Sequence, residues 1–415
     1  MYGLLDFEDF RIERRNEFSK IKVYFTYNSQ ADDLSSLDDI LGPELVLKIE
    51  RFFNGVFEEP LWQLNSLRNV EMPDSITEMP DYAFAHCGSL LSVKLSSNIL
   101  DLPDSAFACC GKLEDVSLPN GLKTIGEYAF NGCDFTTILL PDSLLYIGSH
   151  AFWDCHNLSY IKIPPSVSVI KESSFNDCKK LRDVVLPDSL TVIEDKAFAW
   201  CDGLESIDLP SSLLKIGNGA FEFCDGLKSI FIPDCVIDIG EQAFNHCYKL
   251  QDVKLSNNLS VINARTFSDC KALNQIIIPN SVKSIEAYAF SDCKNLFEVD
   301  ASSDCLENIM FSAFDGCFDI KRLYLSSDIK IIEKRAFYGC CNRLEFIVYG
   351  KKKYRNFKPF FKALFRHGVS YYLSSFANTM DDTAHLYSMA FNSYTRKRKI
   401  IEKLKSIFSK NNSTN

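Results

Sequence analysis

A phenylalanine followed three residues later by a cysteine recurs along this chain at a step so constant that it governs what the chain can fold into. The phenylalanines are Phe84, Phe107, Phe130, Phe152, Phe175, Phe198, Phe221, Phe244, Phe267, Phe290, Phe314 and Phe337, spaced by 23 residues except for one interval of 22 and one of 24. A unit this short cannot enclose a core of its own and must lie against its neighbours, so the period predicts a solenoid of stacked coils. Length then loses its usual meaning. A chain of 415 residues would suggest two or three globular domains, whereas a solenoid lengthens by adding coils.

Residues 181–201, LRDVVLPDSLTVIEDKAFAWC, show one coil in order. Leu181, Val184 and Leu186 have the spacing of a short strand that turns apolar side chains inward, and Pro187 removes a backbone donor and ends pairing. Asp188 and Ser189 read as a turn, and Leu190 and Ile193 as a second short extended piece. The remainder reads as a tight helical turn or bend that brings Phe198 and Cys201 inward. The same register runs through Leu158, Ile161 and Ile163 before Pro164, and through Leu273, Ile276 and Ile278 before Pro279. Two coils depart from it. The coil from Phe130 lacks one residue between Cys133 and Ile138. The coil from Phe290 has one residue too many, with Ala301 where a large residue is expected and SSDCLEN replacing the Pro turn. A tolerated bulge is the expectation there, with a functional loop as the other reading.

The 16 cysteines follow the repeat and not a pairing pattern; Cys109, Cys235 and Cys305 lie off the column. Equivalent positions in stacked coils stand about 4.8 Å apart with parallel side chains, a direction that fits a disulfide torsion poorly. Buried free thiols are expected, in keeping with a reducing compartment. Charge is divided unevenly: residues 351–415 carry a net +11 and the other 350 residues −21, within a total of −10.

The segments LPDSLTVIEDKAF, IPPSVSVIKESSF and LPNGLKTIGEYAF resemble the BspA-type leucine-rich repeat, over roughly residues 61–350. The Asn/Cys position soon after the strand in the general leucine-rich consensus is absent, and a Cys precedes the next strand instead. Glycine follows the second inward residue only at Gly126, Gly148, Gly217 and Gly240, so a left-handed backbone is not obligatory there. The resemblance implies a right-handed leucine-rich-repeat solenoid with parallel β-strands on one face and short turns or helical bends on the other. It also implies binding of proteins or other large ligands, in a family whose members are often displayed on the surfaces of bacteria or parasitic protists.

Within each strand the residue between the last two inward positions points outward. That column reads Glu71, Lys94, Ser117, Leu139, Lys162, Val185, Asp208, Phe231, Lys254, Ile277, Asp300, Tyr324 and Val348. Leu139, Val185, Phe231, Ile277 and Tyr324, set among Lys162, Asp208 and Lys254, are the candidate contacts for a protein partner. A solvated sheet that tolerates scattered β-formers is the alternative.

The array of about 12 coils is flanked by two ends. Residues 1–60 read as an α/β N-terminal capping segment, with IKVYFTY as a strand and a helix-like stretch interrupted at Gly42-Pro43; a separate recognition module is the other reading. Residues 351–415 read as a basic C-terminal cap or tail. It interleaves cations with aromatics and then forms an amphipathic helix with Ile400, Ile401, Leu404, Ile407 and Phe408 on one stripe. Docking onto the acidic solenoid, contact with an anionic membrane and recognition of a partner helix remain open for this helix; nucleic acid is not the expected partner.

The first residues, MYGLLDFEDFRIERR, are acidic where a secretory signal has a basic start and an apolar core. A cytoplasmic location is therefore expected, with export to the cell surface without a recognisable signal peptide as the alternative. His86, His150, His156, His246, His367 and His385 share no metal-binding spacing, and no P-loop, G-x-G-x-x-G, G-x-S-x-G or C-x-x-C element occurs. The sequence thus predicts no catalytic residue, metal or cofactor, and a non-enzymatic protein-binding scaffold. A surface adhesin for host or matrix protein, and an enzyme or effector with its activity in the non-repeat ends, are the alternatives.

Overall fold

The computed structural model describes residues 8–12, 22–27, 61, 67–72, 74–326, 328–340, 344–349 and 371–377. They divide into two compact units, Met1–Tyr248 and Lys249–Asn415. Most coils give two short strands. One comes from the Leu-x-x-Ile-x-Leu stretch, such as Asp183–Val185, and one from the piece after the turn, such as Val192–Ile193. Strands of successive coils pair in parallel and in register. In the first unit Ile170, Ile193, Ile216 and Ile239 lie side by side, and in the second Ile262, Ile285, Ile309 and Ile332. All but Ile332 are buried, so the alternation that faces one side chain inward at each rung is the pattern read from the sequence.

The phenylalanines form the spine of each unit. In the first, rings from Phe84 to Phe244 stack face to face at centroid distances of 5.2–5.6 Å. In the second, Phe267, Phe290, Phe314 and Phe337 stack at 5.1–5.5 Å. Each ring is essentially inaccessible to water. Truncating one to alanine would leave a ring-sized cavity and cost about 3–5 kcal/mol.

The segment around each phenylalanine is a run of turns and not the helical bend allowed by the sequence; no helix occurs among the described residues. Hydrogen bonding explains this. Ser105, Phe107 and Cys109 each donate a backbone N–H to the next coil, to the carbonyls of Glu127, Ala129 and Asn131 at 2.6–2.8 Å. Only the intervening residues close local bonds, as in Cys110 N–H to Phe107 O at 3.2 Å. Aiming alternate N–H groups along the stack requires positive φ two residues before and two residues after each phenylalanine, and both positions have it in every coil. A helix would turn those donors back into their own coil.

The strands end at proline or at a buried serine. In the proline coils the turn closes by bonds such as Leu190 N–H to Pro187 O at 3.1 Å. Ser96 and Ser326 occupy the same place without proline and accept from the N–H two residues on, at 3.2 and 3.1 Å. In the short coil Phe135 fills the space made by the deletion, edge-on to Phe130 and Phe152 at 5.7 and 6.2 Å. In the long coil Asp300 Oδ1 accepts from the N–H and hydroxyl of Ser302, and Ala301 is buried. The extra residue is held in a hydrogen-bonded turn.

At the start of the array Lys22–Tyr27 pairs antiparallel with Leu67–Glu71, and Glu8–Ile12 pairs antiparallel with Lys22–Tyr27. The IKVYFTY strand is therefore present, and the described part of residues 1–60 is all β where an α/β segment is expected. Residues 351–415 also differ from expectation: Tyr371–Ala377 adds a parallel strand beside Leu344–Tyr349. The exposed edge of the last coil offers unpaired backbone groups that a strand satisfies and a helix cannot. The helix-like stretch before residue 60 and the basic amphipathic helix near Ile400–Phe408 lie outside the described residues.

Candidate partner-binding face

The main-strand row carries the predicted contacts outward, and pairing fixes their neighbours. In the first unit Glu71, Lys94 and Ser117 stand side by side, as do Lys162 and Val185. A bridge between Thr137 and Tyr160 sets Leu139 beside Lys162 two residues further on. Asp208 and Phe231 occupy the same position in the next two coils, and both are exposed. In the second unit Ile277, Asp300 and Tyr324 are consecutive neighbours, with Lys254 exposed at the equivalent position of an earlier coil.

Exposure separates these residues. Leu139 is 80% exposed, Val185 45%, Phe231 60% and Ile277 68%, whereas Tyr324 is half-buried. One member of the expected column is displaced: Tyr324 pairs with Ile347, and Val348 lies opposite the inward Leu325. Ile347 follows Tyr324 by 23 residues, the ordinary step of the repeat, whereas Val348 follows it by 24, so the last strand keeps the register and the column belongs at Ile347.

Ion pairs between adjacent coils edge this face. Lys94 Nζ lies 2.8 Å from Glu71 Oε1, Lys228 Nζ 2.6 Å from Glu205 Oε2, and Arg322 Nη1 3.0 Å from Glu298 Oε2. The hydrogen bond that Lys94 donates to Glu71 holds its ammonium above the usual range. Such exposed pairs contribute little to stability, but they fix the orientation of charge beside the apolar groups.

Two other exposed rows lie off the predicted column. The second strand row presents Leu100, Leu145, Leu214 and Ile237, each about half exposed or more. Ile237 N–H donates to Leu214 O at 3.0 Å, which makes these two direct neighbours. The signal was available one residue before each second strand, where only the inward Leu190 and Ile193 type of position had been read. The turn after each phenylalanine presents Trp200, 44% exposed, beside the half-buried Phe223.

One cluster brings metal-ligand side chains together without any motif spacing: ligand atoms of Asp154, His156 and Asp177 lie within 4.8 Å of one another. Polar contacts already account for it. His156 Nε2 is 2.8 Å from Asp154 Oδ1, its Nδ1 is 3.0 Å from the Asp177 carbonyl, and Lys179 Nζ is 3.2 Å from Asp177 Oδ1.

The sequence profile of the family described as "BspA type Leucine rich repeat region" matches the chain in six copies, over residues 58–159, 146–274 and 215–345. Among solved structures, a leucine-rich repeat protein from Eubacterium ventriosum is similar at 19% identity and a TM-score of 0.50, covering 80% of this chain and 95% of that one. A leucine-rich repeat protein from Bacteroides ovatus is 25% identical with a TM-score of 0.48, covering 64% and 80%. A leucine rich cell surface protein from Faecalibacterium prausnitzii is 20% identical with a TM-score of 0.40, covering 85% and 97%. At that identity the Eubacterium ventriosum likeness speaks for the fold alone. No curated protein matches the chain. No helix among the described residues is long and apolar enough to cross a membrane.

Proposed function

The chain belongs to the BspA-type leucine-rich repeat family, and from that premise we propose that it is a non-enzymatic scaffold that binds a protein across its strand-lined face. The observation that supports this reading is the regularity of large apolar side chains held in water. Leu139, Val185 and Phe231 recur at every second coil of the first unit, with the charged Lys162 and Asp208 between them. In the second unit Ile277 and half-buried Tyr324 flank Asp300 in the same alternation.

Scattered exposed apolar residues need no explanation, but a fixed alternation of apolar anchors and charges matches the core and rim of a protein interface. At about 4.8 Å per coil the anchors stand roughly 9.6 Å apart, close enough for one partner surface to meet several. Val185, Phe231 and Ile277 sit on paired strands, so little ordering of these anchors is needed on binding.

The test uses Phe231→Asp, which places a charge on the outer face and leaves the buried spine untouched, with Leu214→Asp on the other sheet as control. Circular dichroism checks folding, and affinity capture followed by mass spectrometry compares the retained proteins. A protein held by the wild type and by Leu214→Asp but lost by Phe231→Asp is the expected result. Identical sets from all three chains would remove the face from the account.

A further inference from the structure

The turn that follows each phenylalanine forms a corner outside both strand rows. Its outermost residue, two positions after the phenylalanine, is Asp154, Asp177, Trp200, Phe223 and His246 in consecutive coils of the first unit, each with positive φ. Backbone bonds run from coil to coil between these turns. Asp177 N–H donates to Ala199 O, Trp200 N–H to Glu222 O and Phe223 N–H to Asn245 O, at 2.8–2.9 Å. The side chains therefore stand in one row.

Trp200 lies parallel to Phe223 with ring centroids 4.0 Å apart, and Phe223 lies parallel to His246 at 4.4 Å. On the opposite side of Trp200 the row continues with Asp177, whose side chain is too small to cover an indole. Trp200 is accordingly 44% exposed. The rings below hold it in place, and one broad face remains open.

Carboxylates gather on that open side. Asp177 precedes Trp200 in the row, and Asp154 approaches Asp177 within the cluster already described. Asp202 follows Trp200 in the same turn. Its carboxyl is pushed above the usual range by burial first and by the charge of Asp225 next, with Lys179 opposing the shift and Asp177 adding to it. Lys179, 3.2 Å from Asp177, is the lysine that offsets this charge. Asp154, Asp177 and Asp202 thus lie on or beside the open side of the indole, with Lys179 against Asp177 and the His156 ring against Asp154, while Asp225 belongs to the next coil, on the Phe223 side.

We propose that this corner is a second binding site, which receives an arginine or lysine side chain from a basic segment of a partner protein, stacked on Trp200 and paired with Asp177 and Asp202. The indole face attracts cations more strongly than other aromatic rings do, and a guanidinium can stack on it while donating to a carboxylate. A neutral ligand would leave the repulsion among the carboxylates in place, and an anion would increase it. The site lies away from the strand-lined face and does not rest on the function proposed for that face.

The test titrates acetylated hexa-arginine, and its citrulline counterpart, into the full chain by calorimetry. The wild type binds the arginine peptide and not the citrulline one. Trp200→Leu weakens binding about tenfold, a desolvated cation–aromatic contact. Asp202→Asn, which keeps the shape of the turn, also weakens it, and Leu214→Asn, an uncharged change on the second strand row, leaves it unchanged. Equal binding by wild type, Trp200→Leu and Asp202→Asn would overturn the proposal, since the attraction would then be diffuse. So would an equal loss in Leu214→Asn, which would show that the substitutions act through the fold and not through the corner.

Discussion

The carbonyl of Phe175 accepts two donors, the Cys178 N–H of its own turn at 3.4 Å and the thiol of Cys201 from the next coil at 3.2 Å. The same thiol-to-carbonyl bond recurs at 3.0–3.2 Å from Cys110, Cys133, Cys155, Cys224, Cys293 and Cys317 to the phenylalanine of the preceding coil. Cysteine suits the position because it is small and apolar yet has a weak donor for a second lone pair. Burial raises the Cys133, Cys178 and Cys201 thiols well above their ordinary range, so these stay protonated and inert. Asp202 gives a pH prediction. Its folded-state pKa lies above the unfolded value, so the stability linked to its protonated form is present in acid and lost as pH rises through the folded value. Asp202→Asn cannot ionise. Its Tm is expected to exceed that of the wild type at pH about 7 and to match it at pH about 3, near and below the ordinary carboxyl value. A melting series across that range checks this, and an unchanged gap at both ends would show that burial and Asp225 do not burden the carboxylate.

At the scale of the coil, glycine has two separate uses. Gly219 has a φ of +58° at the turn position where most coils strain an ordinary residue. Gly217 has no such backbone, but a Cβ there would meet Asp195 N at 2.5 Å and Glu194 C at 2.5 Å in the coil before it. Gly219→Ala is expected to lose about 1 kcal/mol of unfolding free energy, the left-handed penalty alone. Gly217→Ala should lose more, because backbone must shift, and chemical denaturation orders the two. The reading that Gly126, Gly148, Gly217 and Gly240 need no left-handed backbone was legible in the sequence; close approach between coils was not, since it depends on atoms 23 residues away. The inward Leu and Ile positions, the Phe spine and the outward column were legible for a similar reason, as each follows from a fixed period and side-chain alternation. Phe135 filling the deleted place and Ser96 standing in for proline were not, because each compensates a local change that counting alone cannot weigh; Ile347 as the last position of the column was legible, since it follows Tyr324 by the ordinary 23 residues. The strand Tyr371–Ala377 was not legible because it lies outside the repeat, and its pairing depends on the open edge left by Leu344–Tyr349.

Across each unit the same few contacts repeat, so stability is spread along the stack while specificity is confined to outward residues that the spine does not use. That separation lets Leu139, Val185, Phe231 and Ile277 vary without loss of the fold, and lets the Trp200 corner differ from its equivalents in other coils. It holds only if the spine is dry. Thiol modification read peptide by peptide tests this most directly, in the folded chain and again after denaturation. The account predicts that exposed Cys109 and Cys305 react in the folded chain, whereas the buried column from Cys87 to Cys340 reacts only once unfolded. Modification of the column in the folded chain at the rate of Cys305 would contradict it.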